Sequence, residues 1–272
     1  MSELIVPFLS WYLVIQLLSL AVLPLCVRLF ANLPDRGYVF AKMLGILLVS
    51  VTFWLGVAYG LLSNDAGGAW LALLVVALAS ALVGRSALTR LFSAARPRFP
   101  WRSVLVAETL FLIAFALWAY VRSHDPAANH TEQPMDLMFM NSIWMSADFP
   151  PEDAWLGGYA ISYYYLGYWM LTTIGRLAGQ APAIAYNVGQ ASWFGLLLLG
   201  SFGVVFNLLL RTGKRTAQAP SLQAVLGGLL ASVAVGLSAN VQSILEWLYA
   251  NGIRLEGLNR WIDVYNFEEN AT

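Results

Sequence analysis

What this chain has least of is charge. Asp, Glu, Lys and Arg make up 11% of its 272 residues, less than half the roughly 25% of an average soluble domain. Together with long apolar runs, that deficit excludes an ordinary water-soluble domain and makes lipid the solvent. Neither sign of charge is in excess, with 15 basic and 15 acidic residues. No global field therefore draws the chain to nucleic acid, and no nucleic-acid partner is expected. There is one cysteine, Cys26, inside an apolar run; it can form no internal disulfide and reads as a small buried hydrophobe. The two histidines, His124 and His130, make no HxxxH or HExxH pattern, so the usual zinc signatures are missing. No basic stretch precedes the first apolar run, and that run is too long for the core of a signal peptide. It reads as a span.

What is present is a series of runs near the roughly 20 apolar residues that a membrane helix needs. They cover about 5–30, 38–62, 66–84, 104–121, 184–210 and 222–248. Pro24 is a candidate kink in the first, and Lys42 lies close enough to the start of the second to snorkel. Glu108, inside the fourth, is expected to pair with a basic residue or to snorkel. The links between spans set the orientation through the positive-inside rule. Arg28, Arg36 and Lys42, then Arg85, Arg90, Arg96, Arg98 and Arg102, then Arg211, Lys214 and Arg215 account for 11 of the 15 basic residues. These three links are expected in the cytoplasm. Segment 122–160 carries one base, Arg122, against Asp125, Glu132, Asp136, Asp148, Glu152 and Asp153, and belongs outside. This orientation is kept only if the apolar stretch 161–178 does not cross. The expected fold is thus an all-α polytopic membrane helix bundle, multi-pass in the cell membrane, whose outer loop carries juxtamembrane helices. Its parts are three helices in 1–100, one in 101–121, the loop 122–182, two helices in 183–248 and an outer tail 249–272. Seven spans are the alternative.

Chemistry is concentrated in the outer loop. Pro134 suits the first turn of a helix, where its missing N–H is not needed. A helix starting near Gln133 puts Asp136 in that first turn, where the helix dipole favours negative charge. A carboxylate held at a lipid–water boundary is a candidate general base; the plainer reading is a helix-capping aspartate. Glu132, four residues earlier, could share a metal with Asp136 or divide acid and base roles with it, or be an ordinary loop glutamate. Pro150-Pro151-Glu152-Asp153 reads as a rigid turn, from which Asp153 could point back toward Asp136. Tyr163, Tyr164, Tyr165 and Tyr168 form an aromatic cluster, with a helix expected from Ile161 whose Gly175, Arg176 and Gly179-Gln180 end fits a stop at the interface. The cluster could be a sugar platform, or supply phenol donors to a pyrophosphate, or be only the aromatic belt of a membrane protein.

The motifs EQPMD (132–136), FPPEDAWLGGYAISYYYLGYW (149–169) and APAIAYN (181–187) resemble the prokaryotic YYY membrane-protein family over roughly 101–193. Their order is also distantly similar to the polyprenyl-phosphate-sugar glycosyltransferases of the GT-C superfamily. In those, a span leads to an acidic motif on a short outer helix, a Pro-containing turn, an aromatic juxtamembrane helix and the next span. The resemblance implies a GT-C-like fold and maps the superfamily's catalytic loop aspartate onto Asp136, with Glu132 as second choice. It implies membrane lipid and a polyprenyl-phosphate-linked sugar as partners, with a divalent metal as an open option for cofactor. The chain departs from the superfamily in lacking an adjacent acidic pair at Asp136, in having three spans ahead of the usual first one, and in loop length. YYY members are longer, so the chain is expected to be an N-terminal portion of such a protein or a truncated reading frame. A non-enzymatic transporter or assembly scaffold is the competing expectation.

Overall fold

The computed structural model describes residues 2–92, 100–147, 149–212, 220–238, 247–248 and 251–253. Among them are eight helices: α1 (Ser2–Leu29), α2 (Tyr38–Ala58), α3 (Ala66–Phe92), α4 (Trp101–His124), α5 (Gln133–Met145), α6 (Leu166–Ala178), α7 (Pro182–Thr212) and α8 (Leu222–Ser238). The one strand-like feature among the described residues is an isolated antiparallel bridge between Glu152 and Ala160. Among the described residues five helices are long and apolar enough to cross a membrane: α1, α2, α3, α4 and α7. A lipid solvent offers no partner to backbone N–H and C=O groups, so spanning segments must satisfy them internally, as helices do. The expected sixth span, 222–248, is described as the 17-residue apolar helix α8; much of its remainder lies outside the described residues, as does nearly all of the tail. α3 runs on past the expected end at 84, because Arg85, Ser86 and Ala87 continue a helix as well as they leave lipid.

α1 packs against α2 and α3, α4 against α7, and α7 against α8; the short helix α6 touches α1, α2, α3, α5 and α7. Glycines permit the closest crossings. A Cβ on Gly45 would stand 2.4 Å from the Leu18 carbonyl oxygen, and one on Gly84 2.2 Å from the Pro24 backbone. Small residues at such crossings let helices approach where no hydrophobic effect drives them together. The core is rich in aromatics, and its tryptophans have their N–H groups satisfied: Trp11 donates to Ser192 Oγ at 3.0 Å and Trp169 to the Ser50 carbonyl at 2.8 Å. At one end of the bundle, buried Asp35 accepts the N–H groups of Gly37 and Val39, and its own N–H reaches Asn207 Oδ1 at 3.4 Å.

Three expectations change. Lys42 does not snorkel: it is 1% exposed and forms an ion pair with Glu108. Tyr38 and Gln16 also donate to that carboxylate, each at 2.7 Å, and Tyr12 at 3.5 Å. The expected pairing of Glu108 with a basic residue is what is found. An ammonium with a carboxylate one helix away is better paired than stretched toward a distant surface. The aromatic helix starts at Leu166, not Ile161, so the tyrosine triplet precedes it. Arg176, expected at the interfacial end of that helix, is buried. α6 buries Trp169, Leu171 and the run from Thr172 to Leu177, and Arg176 lies with its guanidinium 4.4 Å from the Trp144 ring centre, donating to the Trp144 carbonyl. Burial pushes its pKa down to about 10, against the pull of Asp65. α6 ends at Gly179, whose φ of 68° closes the helix as glycine allows. At 13 residues, α6 is about 20 Å long, too short for a hydrocarbon core of roughly 30 Å.

Candidate functional site

The local sequence explains where Asp136 stands. Pro134 occupies the first turn of α5, Glu132 precedes the helix as its cap residue, and the Asp136 N–H donates to the Glu132 carbonyl at 3.0 Å. Phe139, Met140 and Ile143 bury one side of α5. Phe139 then ties the helix to the tyrosines: its ring centre is 5.3 Å from Tyr163, stacked, and 5.5 Å from Tyr168.

Two phenols converge on the Asp136 carboxylate. Tyr168, in the first turn of α6, donates to Oδ1 at 2.5 Å, and Tyr186, near the start of α7, donates to Oδ2 at 3.3 Å. Gln190, one turn further along α7, and Arg122 at the end of α4 both lie within electrostatic reach of the Tyr186 oxygen. Burial, then the Asp136 carboxylate, pushes the Tyr168 pKa up, so this phenol stays a donor. An ionised carboxylate has about four acceptor positions. Two are filled by tyrosines, and the half-exposed group retains capacity for a substrate hydroxyl.

The triplet divides. Tyr163 and Tyr164 stack with ring centres 4.0 Å apart, and Tyr163 donates to Tyr164 at 2.7 Å. That hydrogen bond chiefly, with burial and the charges of Tyr164, Glu132 and Asp136 behind it, pushes the Tyr163 pKa up to about 12. Exposed Glu132 and Asp136 are thus both within electrostatic range of this phenol. Tyr165 turns away: its Oη accepts from Trp54 at 3.2 Å, and its ring sits edge-on to Phe149. Asp153 is occupied locally, accepting the N–H groups of Trp155 and Leu156 at 2.9 and 3.1 Å. Asp148 lies outside the described residues.

His130 pairs with Asp125 at 3.0 Å on the exposed surface, and His124 contacts the Tyr120 carbonyl. Among the described residues no group of three or more His, Cys, Asp or Glu is placed to hold a metal. A hard cation commonly takes one or two carboxylates and fills its remaining positions with water or phosphate oxygens. Glu132 and Asp136 are the two residues here of that kind.

The sequence reading missed Tyr186, Gln190, Arg122 and Asn187. Arg122 donates to Asn187 Oδ1 through Nε at 3.1 Å and Nη2 at 2.5 Å. Two signals pointed to them: Tyr186-Asn187 closes the APAIAYN motif, and Arg122 is the lone base of an acidic segment.

A bundle of apolar helices with an aspartate clamped by tyrosines from two of them defines a multi-pass helical membrane protein. Residues 48–266 match the family described as Uncharacterized membrane protein (DUF2298), and the chain belongs to that family. The matched stretch includes Glu108, Asp136, Tyr168 and Tyr186. No match is found among curated proteins or among solved structures.

Proposed function

We propose that this protein acts as a glycosyltransferase of the GT-C type, moving a sugar from a polyprenyl-phosphate carrier to an acceptor hydroxyl at the outer face of the cell membrane. The observation that carries the reading is the Asp136 carboxylate, oriented by Tyr168 and Tyr186 with acceptor capacity left over. As the acceptor oxygen bonds to the anomeric carbon, Asp136 takes the hydroxyl proton. The bond from that carbon to the carrier phosphate breaks, and its electron pair leaves with the phosphate. The stacked, exposed Tyr163 and Tyr164 offer an aromatic face to the sugar ring. Glu132, one turn before Asp136, can join it on a divalent cation.

The test is turnover of a polyprenyl-phosphate-linked sugar by the reconstituted protein. Asp136→Asn should lower the rate about 10²- to 10⁴-fold, the range of general-base catalysis. Full activity in that variant would remove Asp136 from the reaction.

The Lys42–Glu108 pair favours a second reading. Ionisable groups within spans are a frequent mark of transport paths, and this pair gathers Tyr12, Gln16 and Tyr38 around it. On that reading, solute flux into vesicles depends on Glu108 and is indifferent to Asp136.

A further inference from the structure

A groove of about 560 Å³ lies between the starts of α1 and α7 and the end of α4. Phe8, Ala116, Ala119, Ile184 and Val188 give it apolar walls, and Arg122 and Asn187 provide polar groups at its edge. The volume falls within the range of small-molecule sites. The polarity is divided in an informative way. Among the described residues Arg122 has no carboxylate partner; its hydrogen bonds go to neutral Asn187. Asn187 is held in turn, donating to the Pro126 and Ala183 carbonyls, which leaves its oxygen facing the guanidinium. The Asn187 bonds use two of the five guanidinium N–H groups, so an oriented cation with spare donors stands over an apolar trough. Planar guanidinium groups match phosphate oxygens two at a time. The groove also adjoins the carboxylate site, since Tyr186, next to Asn187, donates to Asp136 and is within reach of the Arg122 charge.

We propose that this groove holds the carrier lipid, with the isoprenoid chain along α1, α4 and α7 and the phosphate on Arg122. The inference rests on the transferase reading for the identity of the lipid and deepens it by assigning the carrier's place. It sets the phosphate on the α4–α7 side of Tyr186 and the acceptor on the side of Tyr163 and Glu132, so that the sugar lies across Asp136.

Binding can be measured on the purified protein in detergent with farnesyl phosphate, farnesol and phosphatidylglycerol as probes. Farnesyl phosphate should bind roughly 10- to 100-fold more tightly than farnesol, the range of a charge-assisted hydrogen-bonded contact. Arg122→Gln should erase that preference, and Arg122→Lys should keep part of it. Ala119→Phe, which fills the trough and leaves the guanidinium charge in place, should weaken farnesyl phosphate and farnesol alike. Unchanged preference in Arg122→Gln, or unchanged binding in Ala119→Phe, overturns the placement. Phosphatidylglycerol displacing farnesyl phosphate at equal concentration makes the groove a general phospholipid site and overturns it too. Selective binding without any sugar transfer would sink the transferase reading alone; transfer that survives Arg122→Gln with its carrier preference intact would sink only the groove.

Discussion

Two carboxylates in this molecule are each gripped by two tyrosines, and they end up doing different things. Glu108 takes Tyr12 and Tyr38, then adds Gln16 and the Lys42 ammonium. Its charge is neutralised and its oxygens are used up, so the group fastens α1, α2 and α4 together. Asp136 takes Tyr168 and Tyr186 and, among the described residues, forms no ion pair. It keeps part of its acceptor capacity. The lesson is that tyrosines around an acid do not by themselves make a site. What matters is whether a counter-ion completes the shell, since a buried charge must be paired while a half-exposed one can wait for a ligand.

Breaking each shell in turn should separate these roles. The largest effect on stability is expected from Glu108→Ala, which strands Lys42 as a buried cation at a cost of about 3–5 kcal/mol, read as thermal denaturation in detergent. Replacing both partners by apolar residues should recover most of it, and failure to recover would mean that Glu108 does more than pair. Asp136→Asn should leave that melting curve within about 1 kcal/mol of the parent, as a partly exposed substitution does, while lowering the proposed sugar transfer about 10²- to 10⁴-fold. A matched fall in stability would place Asp136 with Glu108 as a fastening. Finer discrimination comes from its two tyrosines. Tyr168→Phe removes the shorter hydrogen bond and should slow transfer roughly 10- to 100-fold, whereas Tyr186→Phe removes the longer one and should cost about tenfold or less. Equal losses would deny the difference between 2.5 and 3.3 Å any meaning. The smallest expected signal is spectroscopic. Tyr163 should ionise near pH 12, and Tyr164→Phe, by removing its hydrogen-bond acceptor, should bring it back toward the ordinary tyrosine range, as followed by ultraviolet titration.

Much of the fold is legible in the sequence because lipid imposes a single rule on it. Apolar length gives α1, α2, α4 and α7 nearly as they stand, Pro134 marks the start of α5, and Gly179 stops α6. Relations across the chain are harder to read. Tyr186 is 50 residues from Asp136, on another helix, and no local spacing announces that they meet. Lys42 and Glu108 are 66 residues apart; each alone resembles a snorkelling residue, and only packing turns them into a pair. The tyrosine triplet misleads for the same reason. Three adjacent identical residues suggest one function, yet the turn into α6 sends Tyr165 to the core and leaves Tyr163 and Tyr164 outside. Arg176, read as an end marker, is covered because Trp144 from α5 lies over it.

α7 also carries a measure of depth. Asn187 and Asn207 lie 20 residues apart on it, about 30 Å at the helical rise, which is the thickness of a bilayer's hydrocarbon core. Each amide holds a charged residue's neighbourhood in place: Arg122 at one level, the backbone of Asp35 at the other. If these two asparagines stand at the two edges of the hydrocarbon, Arg122 is level with the phosphates of the surrounding leaflet. A lipid phosphate could then move sideways onto it without changing depth, and Tyr186 and Asp136 would meet the sugar at the waterline.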